Sequence, residues 1–259
     1  MIHFIKIMML AVMMTLVFPS GATAVSNQSI GWGFQKSKNE VPAEAGAQYD
    51  NLLSDYGAFY KGNPDEKVLY LTFDNGYENG HTKKILDVLK REKVPATFFV
   101  TGHYLLSAED LVKRMVKEGH IIGNHSWHHP DFTQTSDEKI REEMKKVKEK
   151  TAELTGQKEM KYIRPPRGVF SARTLDIAKK EGYTHVFWSV AFVDWKTDQQ
   201  KGWQYSYNNL MNQAHPGAII LLHSVSQDNA DAMEKSIQDL KKRGYTFKSL
   251  DEHPMMKKQ

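Results

Sequence analysis

A chain of 259 residues, 40% of them hydrophobic, is long enough to bury a substantial core in one large domain or two small ones. It contains no cysteine, which excludes disulfides and removes thiolates from the possible nucleophiles and metal ligands. The net charge of +4 is compatible with binding to an anionic cell-wall polymer, although an ordinary soluble surface is the simpler explanation. It is too small to indicate nucleic-acid binding.

The N-terminus predicts an export signal. Residues 1–24 hold one lysine, no acid, an apolar run and the small-x-small sequence Ala22-Thr23-Ala24, after which signal peptidase cleaves. The apolar run at 7–19 is too short for a comfortable membrane span, but an uncleaved signal that tethers the protein to a membrane stays an alternative. In either case we expect the folded part to work outside the cytoplasm.

Residues 25–66 lack a strong hydrophobic period and contain several glycines and prolines, which predicts an irregular N-terminal extension. The aromatic residues in this segment indicate that it is ordered and packs on the domain, unlike a free linker. They are Trp32, Phe34, Tyr49, Tyr56, Phe59 and Tyr60.

From residue 67 onward, strands and helices alternate. Hydrophobic periodicity predicts strands at 68–73, 96–101, 120–123, 161–164, 185–190, 218–223 and 245–249, and helices at 81–92, 108–118, 137–155, 172–181, 205–213 and 229–243. This alternation predicts an α/β domain over 67–250, with a parallel sheet closed or nearly closed into a barrel, and a C-terminal tail at 251–259.

Five short motifs fall at the carboxyl ends of predicted strands, where parallel barrels place their active sites. They are Thr72-Phe73-Asp74-Asn75-Gly76, His125-Ser126-Trp127-His128-His129, Arg164-Pro165-Pro166-Arg167-Gly168, Val193-Asp194-Trp195 and Leu221-Leu222-His223.

The motif residues suggest two kinds of chemistry. His125 and His129 are four residues apart, a spacing that lets two imidazoles face one metal ion if the backbone makes a helical turn. Pairs at this spacing are often only surface features, and Pro130 disfavours a helical conformation at His129. Asp74 is either a catalytic carboxylate or a cap before a glycine turn; Arg164 favours the first role, since it could orient Asp74 through a paired hydrogen bond.

Asp194 and His223 form a second possible pair, in which the aspartate orients the imidazole and raises its pKa so that it can donate a proton. Trp195 and Leu221 would then supply apolar walls. The alternative is that His223, Trp195 and Leu221 are ordinary core residues, which is the usual outcome for such side chains.

Together the five motifs resemble the polysaccharide deacetylases of carbohydrate esterase family 4, the NodB-homology domain. The resemblance implies a distorted (β/α) barrel that hydrolyses N- or O-acetyl groups on glycans. The segments around Asp74, Arg164 and Asp194 are most similar to the peptidoglycan N-acetylmuramic acid deacetylases of spore-forming bacilli, which serve muramic δ-lactam synthesis.

The resemblance also implies roles for individual residues. Asp74 would be the general base, Arg164 its tether, Asp194 the partner of His223, and His223 the general acid. The remaining implied residues bind metal or substrate: His125, His129 and Asn75 for a divalent ion such as Zn²⁺, and Tyr77, Trp195, Leu221 and Arg167 for the glycan.

Three positions depart from the family pattern. Most members have a second aspartate where this chain has Asn75, an aromatic residue where it has Arg167, and an aspartate where it has Ala191. An amide in place of a carboxylate removes a negative charge, so we expect weak metal binding. Arg167 can pair with the lactyl or peptide-stem carboxylate of muramic acid, which N-acetylglucosamine lacks.

The leading hypothesis is therefore an exported, metal-assisted deacetylase of N-acetylmuramic acid in peptidoglycan strands, associated with the cell wall or spore and working as a monomer. Two alternatives are a deacetylase of N-acetylglucosamine in peptidoglycan or chitin oligomers, and a glycan-binding protein without turnover. A glycosidase is disfavoured because the two-carboxylate arrangement it requires is not evident.

Overall fold

The structure is a computed structural model that describes residues 25–256. The predicted signal peptide at 1–24 and the last three residues lie outside the described residues. Within 25–256, none of the helices combines the length and the apolar character that crossing a membrane would require.

Nine strands and eight α-helices make up the described part of the chain. The strands are β1 Ile30–Gly31, β2 Val68–Asn75, β3 Ala96–Val100, β4 Ile121–Asn124, β5 Tyr162–Ile163, β6 Val169–Phe170, β7 Thr184–His185, β8 Ile219–His223 and β9 Thr246–Phe247. The helices are α1 Ala47–Asp55, α2 Thr82–Glu92, α3 Gly102–Ser107, α4 Glu109–Lys117, α5 Asp137–Thr155, α6 Ala172–Lys180, α7 Trp203–Gln213 and α8 Gln227–Lys242.

Seven of these strands form one curled parallel sheet within residues 25–256, in the order β7-β5-β4-β3-β2-β8, with β9 pairing the start of β2. Every residue of β2 is buried, which explains why its sequence is a nearly continuous apolar run. Helices pack on the outside through apolar faces, and Ile85, Leu86 and Leu89 of α2 are fully buried as the periodicity predicted. The predicted parallel α/β sheet is confirmed.

An irregular segment after β7 connects β7 and β8, the two edges of the curled sheet. The prediction of a strand over 185–190 was too long, because the regular strand ends at His185. Beyond it, Val186 bridges to Phe59 of the extension, and Val190 bridges in parallel to Ile220 of β8. Val186 still donates to the Ile163 carbonyl of β5 at 2.9 Å, whereas Ser189 donates to the Ile219 carbonyl of β8 at 2.9 Å, so residues 186–190 cross from one edge of the sheet to the other and the barrel is distorted.

Two further differences concern short elements. Helix α3 was not predicted, because six residues are too few to show a helical period; Thr101 caps it by accepting a hydrogen bond from the Tyr104 main-chain N–H at 3.3 Å. The predicted irregular extension contains helix α1. The extension packs through Trp32, whose Nε1 donates to the carbonyl of Trp188 at 3.0 Å and whose ring lies 4.7 Å from that of Phe187. The predicted boundaries at 25–66, 67–250 and 251–259 stay predictions.

Candidate active site

Asp74 and Arg164 form a buried ion pair. Asp74 lies near the end of β2, Arg164 directly follows β5, and Nη1 of the arginine donates to Oδ1 of the aspartate at 2.8 Å. Nε and Nη2 donate instead to the carbonyls of Val186 at 3.0 Å and Phe187 at 3.4 Å, so the contact is a single hydrogen bond and not the expected paired one. Burial by itself raises the pKa of Asp74, but the charge and hydrogen bond of Arg164, together with the nearby His125 and His223, outweigh it and hold this pKa below its usual range.

His125 and His129 meet in the loop after β4. Their Nε2 atoms are 3.2 Å apart, and Nε2 of His125 is 3.5 Å from Oδ2 of Asp74. Nδ1 of His125 lies 2.9 Å from the carbonyl of Arg164, so Nδ1 carries the proton and Nε2 keeps its lone pair.

The helical turn expected from the four-residue spacing does not form. Ser126 and His129 adopt left-handed backbone conformations, with φ of 63° and 60°. The loop reverses direction at these two residues, and this reversal brings the imidazoles together. Pro130 disfavours a right-handed conformation at His129, as the sequence indicated.

Both histidines are suited to bind metal. Burial lowers the pKa of His125, and it lowers the pKa of His129 to about 4. The imidazoles are therefore neutral at pH 7, the form that ligates metal. A tetrahedral zinc ion with Zn–N bonds of about 2.0–2.1 Å separates two ligand nitrogens by about 3.3 Å, close to the observed 3.2 Å.

Asn75 is the remaining candidate ligand. Its side chain is fully buried; Nδ2 donates to Oγ of Ser224 at 2.7 Å, and no residue of 25–256 offers Oδ1 a hydrogen bond. Such an orphaned buried carbonyl oxygen is a suitable donor to a cation. However, Asn75 is not among the residues that line the cavity described below, and residues 25–256 contain no cluster of three or more His, Cys, Asp or Glu arranged for a metal. The donor set fits a weakly held divalent ion, and coordination by Asn75 stays a prediction.

Asp194 orients His223 at the end of β8. Oδ1 of the aspartate lies 2.7 Å from Nδ1 of the imidazole, and Oδ2 accepts the main-chain N–H of His223 at 2.8 Å. Burial by itself lowers the pKa of His223, but the charge and hydrogen bond of Asp194, together with the charge of Asp74, outweigh it, so this pKa is raised. Nδ1 keeps a proton, and Nε2 is the nitrogen available to a substrate.

Asn229 supports this pair and was not predicted. Its Nδ2 donates to Oδ2 of Asp194 at 2.6 Å and to the carbonyl of His223 at 3.1 Å. Asn229 lies in the first turn of α8, the helix that follows β8. An asparagine six residues after a strand-end histidine resembles ordinary helix-start composition, so the sequence carried little signal for this role.

A cavity of about 1010 Å³ covers these groups, and Asp74, His125, His129 and His223 line it. All four predicted substrate-binding residues line the same cavity: Tyr77, Arg167, Trp195 and Leu221. Trp195 is 49% exposed, and its ring centre lies 5.5 Å from that of His223. A half-exposed tryptophan at a cavity rim provides an apolar face for a sugar ring, in contrast to the core role considered for it.

Four further apolar wall residues were not predicted: Trp127, Leu106, Trp188 and Val225. Trp127 packs so closely on Gly102 that a Cβ there would lie 2.2 Å from the indole ring, which explains the glycine at the start of α3. Leu106 is 58% exposed. The sequence pattern identified motif residues at strand ends, whereas Leu106 lies on a helix that it did not predict.

Arg167 extends from a tight turn at the edge of the cavity. Its backbone is left-handed, with φ of 58°, directly after Pro165-Pro166. The side chain is 56% exposed, and its Nη2 is 3.4 Å from Oδ2 of Asp131. The guanidinium therefore retains donors that can bind an anion entering the cavity.

Proteins with a similar sequence and fold are found among polysaccharide deacetylases. A family model for polysaccharide deacetylase matches residues 61–186. The chain is 56% identical over 231 residues to the peptidoglycan-N-acetylmuramic acid deacetylase PdaA of Bacillus subtilis, a match that covers 89% of this chain and 88% of that protein. The solved structure of Bacillus subtilis PdaA, a family 4 carbohydrate esterase, matches with a TM-score of 0.88 at 55% identity, covering 91% of this chain and all of the solved one.

Two other relatives extend the comparison. A family 4 carbohydrate esterase structure from Bacillus anthracis matches with a TM-score of 0.76 at 53% identity, covering 89% of this chain and 98% of the other. A peptidoglycan-N-acetylglucosamine deacetylase of Bacillus cereus is 36% identical over 199 residues, covering 75% of this chain and 71% of that protein. The chain belongs to the polysaccharide deacetylase family, carbohydrate esterase family 4. It is a deacetylase, and the distorted barrel expected from the resemblance is confirmed.

Proposed function

We propose that this protein removes the N-acetyl group from N-acetylmuramic acid in peptidoglycan, outside the cytoplasm, as a step toward muramic δ-lactam in spore cortex. The observation that carries the choice of muramic acid is the position of Arg167, a half-exposed guanidinium at the edge of the catalytic cavity. Muramic acid differs from glucosamine by a lactyl carboxylate, which Arg167 can bind through charge-assisted hydrogen bonds. The 56% identity to Bacillus subtilis PdaA, whose name gives this substrate, supports the proposal.

In the proposed reaction, Asp74 and His223 each carry out one proton transfer. Asp74, kept ionised by Arg164, takes a proton from the attacking water, and the main-chain N–H near Tyr77 donates to the oxyanion that forms at the acetyl carbonyl. His223, protonated and oriented by Asp194, then gives a proton to the departing amine, and acetate leaves. The two transfers need two groups of opposite protonation state, which the lowered pKa of Asp74 and the raised pKa of His223 provide.

His125 and His129 would hold the divalent ion, with Asn75 as a third donor. Such an ion polarises the acetyl carbonyl and lowers the pKa of water. The amide at position 75 supplies no charge, so the proposal includes weak binding of Zn²⁺ or a similar cation.

Location and partners follow from the predicted signal and substrate. We propose that the protein is secreted or associated with the cell wall or spore, with a membrane tether as the alternative if the signal stays attached. The protein would act as a monomer, and its partner would be the glycan strands of peptidoglycan. A deacetylase of N-acetylglucosamine is the second candidate, favoured by the relative of that name in Bacillus cereus.

Mass analysis of glycan products tests the proposal. Purified protein is incubated with peptidoglycan strands whose muramic residues have lost their peptide stems, with and without added Zn²⁺. Loss of 42 Da, roughly one acetyl group, from muramic residues supports the proposal. Loss from glucosamine residues alone selects the second candidate, and no loss under either condition leaves glycan binding without turnover.

A further inference from the structure

Glu143 is a buried carboxylate that the proposed reaction does not use. It lies on α5, the side chain is fully buried, and Lys139, the cation beside it on the same helix, is 3.7 Å away. Burying a carboxylate is costly unless strong hydrogen bonds compensate, so its partners show what the residue stabilises.

Both strong partners of Glu143 belong to His128. Oε2 accepts the main-chain N–H of His128 at 2.6 Å, and Oε1 lies 2.6 Å from Nδ1 of the same residue. His128 stands between the two candidate metal ligands, directly before His129. The Glu143 carboxylate therefore binds the loop that carries both candidate ligands, at His128.

This loop needs external support. Its two left-handed residues, Ser126 and His129, adopt a conformation that is unfavourable for residues with a side chain, so contacts from the surroundings have to stabilise it. Two hydrogen bonds act locally: Ser126 N–H to Oδ1 of Asn124 at 2.9 Å, and His129 N–H to Oγ of Ser126 at 3.0 Å. The loop is also tied to two helices: the Gly102 N–H of α3 donates to the Trp127 carbonyl at 3.0 Å, and Glu143 of α5 binds His128, the residue directly before His129.

We propose that Glu143 is a positioning residue that holds the His125 and His129 imidazoles in metal-binding geometry by fixing the backbone and ring of His128. The two Nε2 atoms have to keep a separation near 3.2 Å to share one ion, and His129 directly follows His128, the residue whose backbone and ring Glu143 binds. Groups that orient metal ligands typically contribute about 10- to 100-fold to metal affinity. The inference rests on the fit of the two imidazoles to a divalent ion and is independent of which sugar is the substrate.

The test is substrate-free titration of the purified protein with Zn²⁺ in competition with a chromophoric chelator. Glu143→Gln removes the charge and leaves one acceptor oxygen for the two groups of His128 that the carboxylate binds, so we expect Zn²⁺ affinity to fall by about 10-fold or more. Glu142→Gln is the matched control: it makes the same chemical change on the neighbouring residue, whose side chain is 45% exposed, and should leave affinity unchanged.

Glu143→Asp provides a second variant if Glu143→Gln does not fold. It keeps the charge but withdraws the carboxylate by one methylene, so affinity should again fall while Glu142→Gln stays at the wild-type value. Wild-type Zn²⁺ affinity in a folded Glu143 variant would overturn the proposal, as would the absence of measurable Zn²⁺ binding by the wild-type protein. Since no glycan is present, these results are separate from success or failure of the muramic acid assay.

Discussion

Asp74 on β2 and His223 on β8 are paired in register across two neighbouring parallel strands. The sheet itself therefore sets the distance between the proposed base and the proposed acid. Each group has its own partner on another element, Arg164 after β5 and Asp194 after the irregular closure of the barrel. Opposite shifts of the two pKa values follow from these separate partners.

Asp74→Asn should reduce kcat by about 10²- to 10⁴-fold, because an amide cannot take the proton from water. The change also leaves the buried Arg164 guanidinium without its counter-charge, although Val186 and Phe187 still accept its hydrogen bonds. We expect unfolding by urea to show a loss of up to about 3–5 kcal/mol. Circular dichroism of the folded variant is the control, and turnover near the wild-type rate would exclude Asp74 as the base.

Asp194→Asn should move the alkaline limb of the pH profile to lower pH. The pKa of His223 is raised in the folded protein, so the imidazole is protonated below that pKa and loses its proton as pH rises through it. The stability that the pair contributes is likewise fully present below the ordinary histidine pKa of about 6.5 and disappears as pH rises through the folded value. Removing the carboxylate lowers the pKa of His223, and kcat against pH measures the shift. Asp198→Asn, on the exposed part of the same loop, should leave the limb in place.

Much of the fold was predictable, because long elements bury regular apolar faces. Helix α5 spans the predicted 137–155, with Ser136 accepting from the Lys139 N–H at its start and Gly156 left-handed at its end. The closure over 186–190 was not predictable, since a buried apolar run looks the same whether it pairs regularly or bridges two strands. Helix α3 is short and depends on packing of Gly102 against Trp127, a contact that local sequence does not encode.

The sequence predicted the motif residues of the candidate site but not the helix residues that hydrogen-bond to them. Strand ends placed Asp74 and His223 together, as parallel topology requires. Asn229 and Glu143 come from helices, and no spacing in the sequence links them to Asp194 or His128. The convergence of His125 and His129 arises from left-handed backbone in a loop, whereas four-residue spacing suggested a helical turn.

Asn75→Asp should tighten Zn²⁺ binding by at least about 10-fold, because it adds a carboxylate beside two neutral imidazoles. Ser224, which accepts from the Asn75 amide at 2.7 Å, can donate its hydroxyl to the new carboxylate. Without metal, a second buried negative charge next to Asp74 should lower the melting temperature, and added Zn²⁺ should restore it. Chelator competition and thermal melts with and without Zn²⁺ measure both effects. Equal affinity in the two proteins would show that position 75 does not contact the ion.

Arg167→Tyr should reduce the preference for muramic over glucosamine residues by about 10- to 100-fold, the range of one charge-assisted hydrogen bond. The effect should appear in kcat/KM for muramic substrates, with little change for glucosamine substrates. Arg167→Lys keeps the charge but not the forked geometry, so it should retain part of the preference. An unchanged preference in the tyrosine variant would remove the lactyl carboxylate from the role proposed for it.

His253 should make stability depend on pH below 6.5. Its ring stacks on Phe59 at 3.9 Å, Nε2 donates to the Lys61 carbonyl at 3.1 Å, and Nδ1 accepts the Met255 N–H at 3.3 Å, an arrangement that requires the neutral imidazole. Burial lowers the pKa of His253 to about 4. Between about pH 6.5 and 4, the imidazole is therefore protonated in the unfolded chain but neutral in the folded protein. As pH decreases through this window, the free energy of unfolding should therefore fall by about 1.4 kcal/mol per pH unit from this residue. His253→Phe keeps the stacking and removes the titration, so urea unfolding from pH 7 to 4 should show a shallower decline. The same slope in both proteins would assign the pH dependence to other buried histidines, such as His120 and His185, whose pKa values burial also lowers.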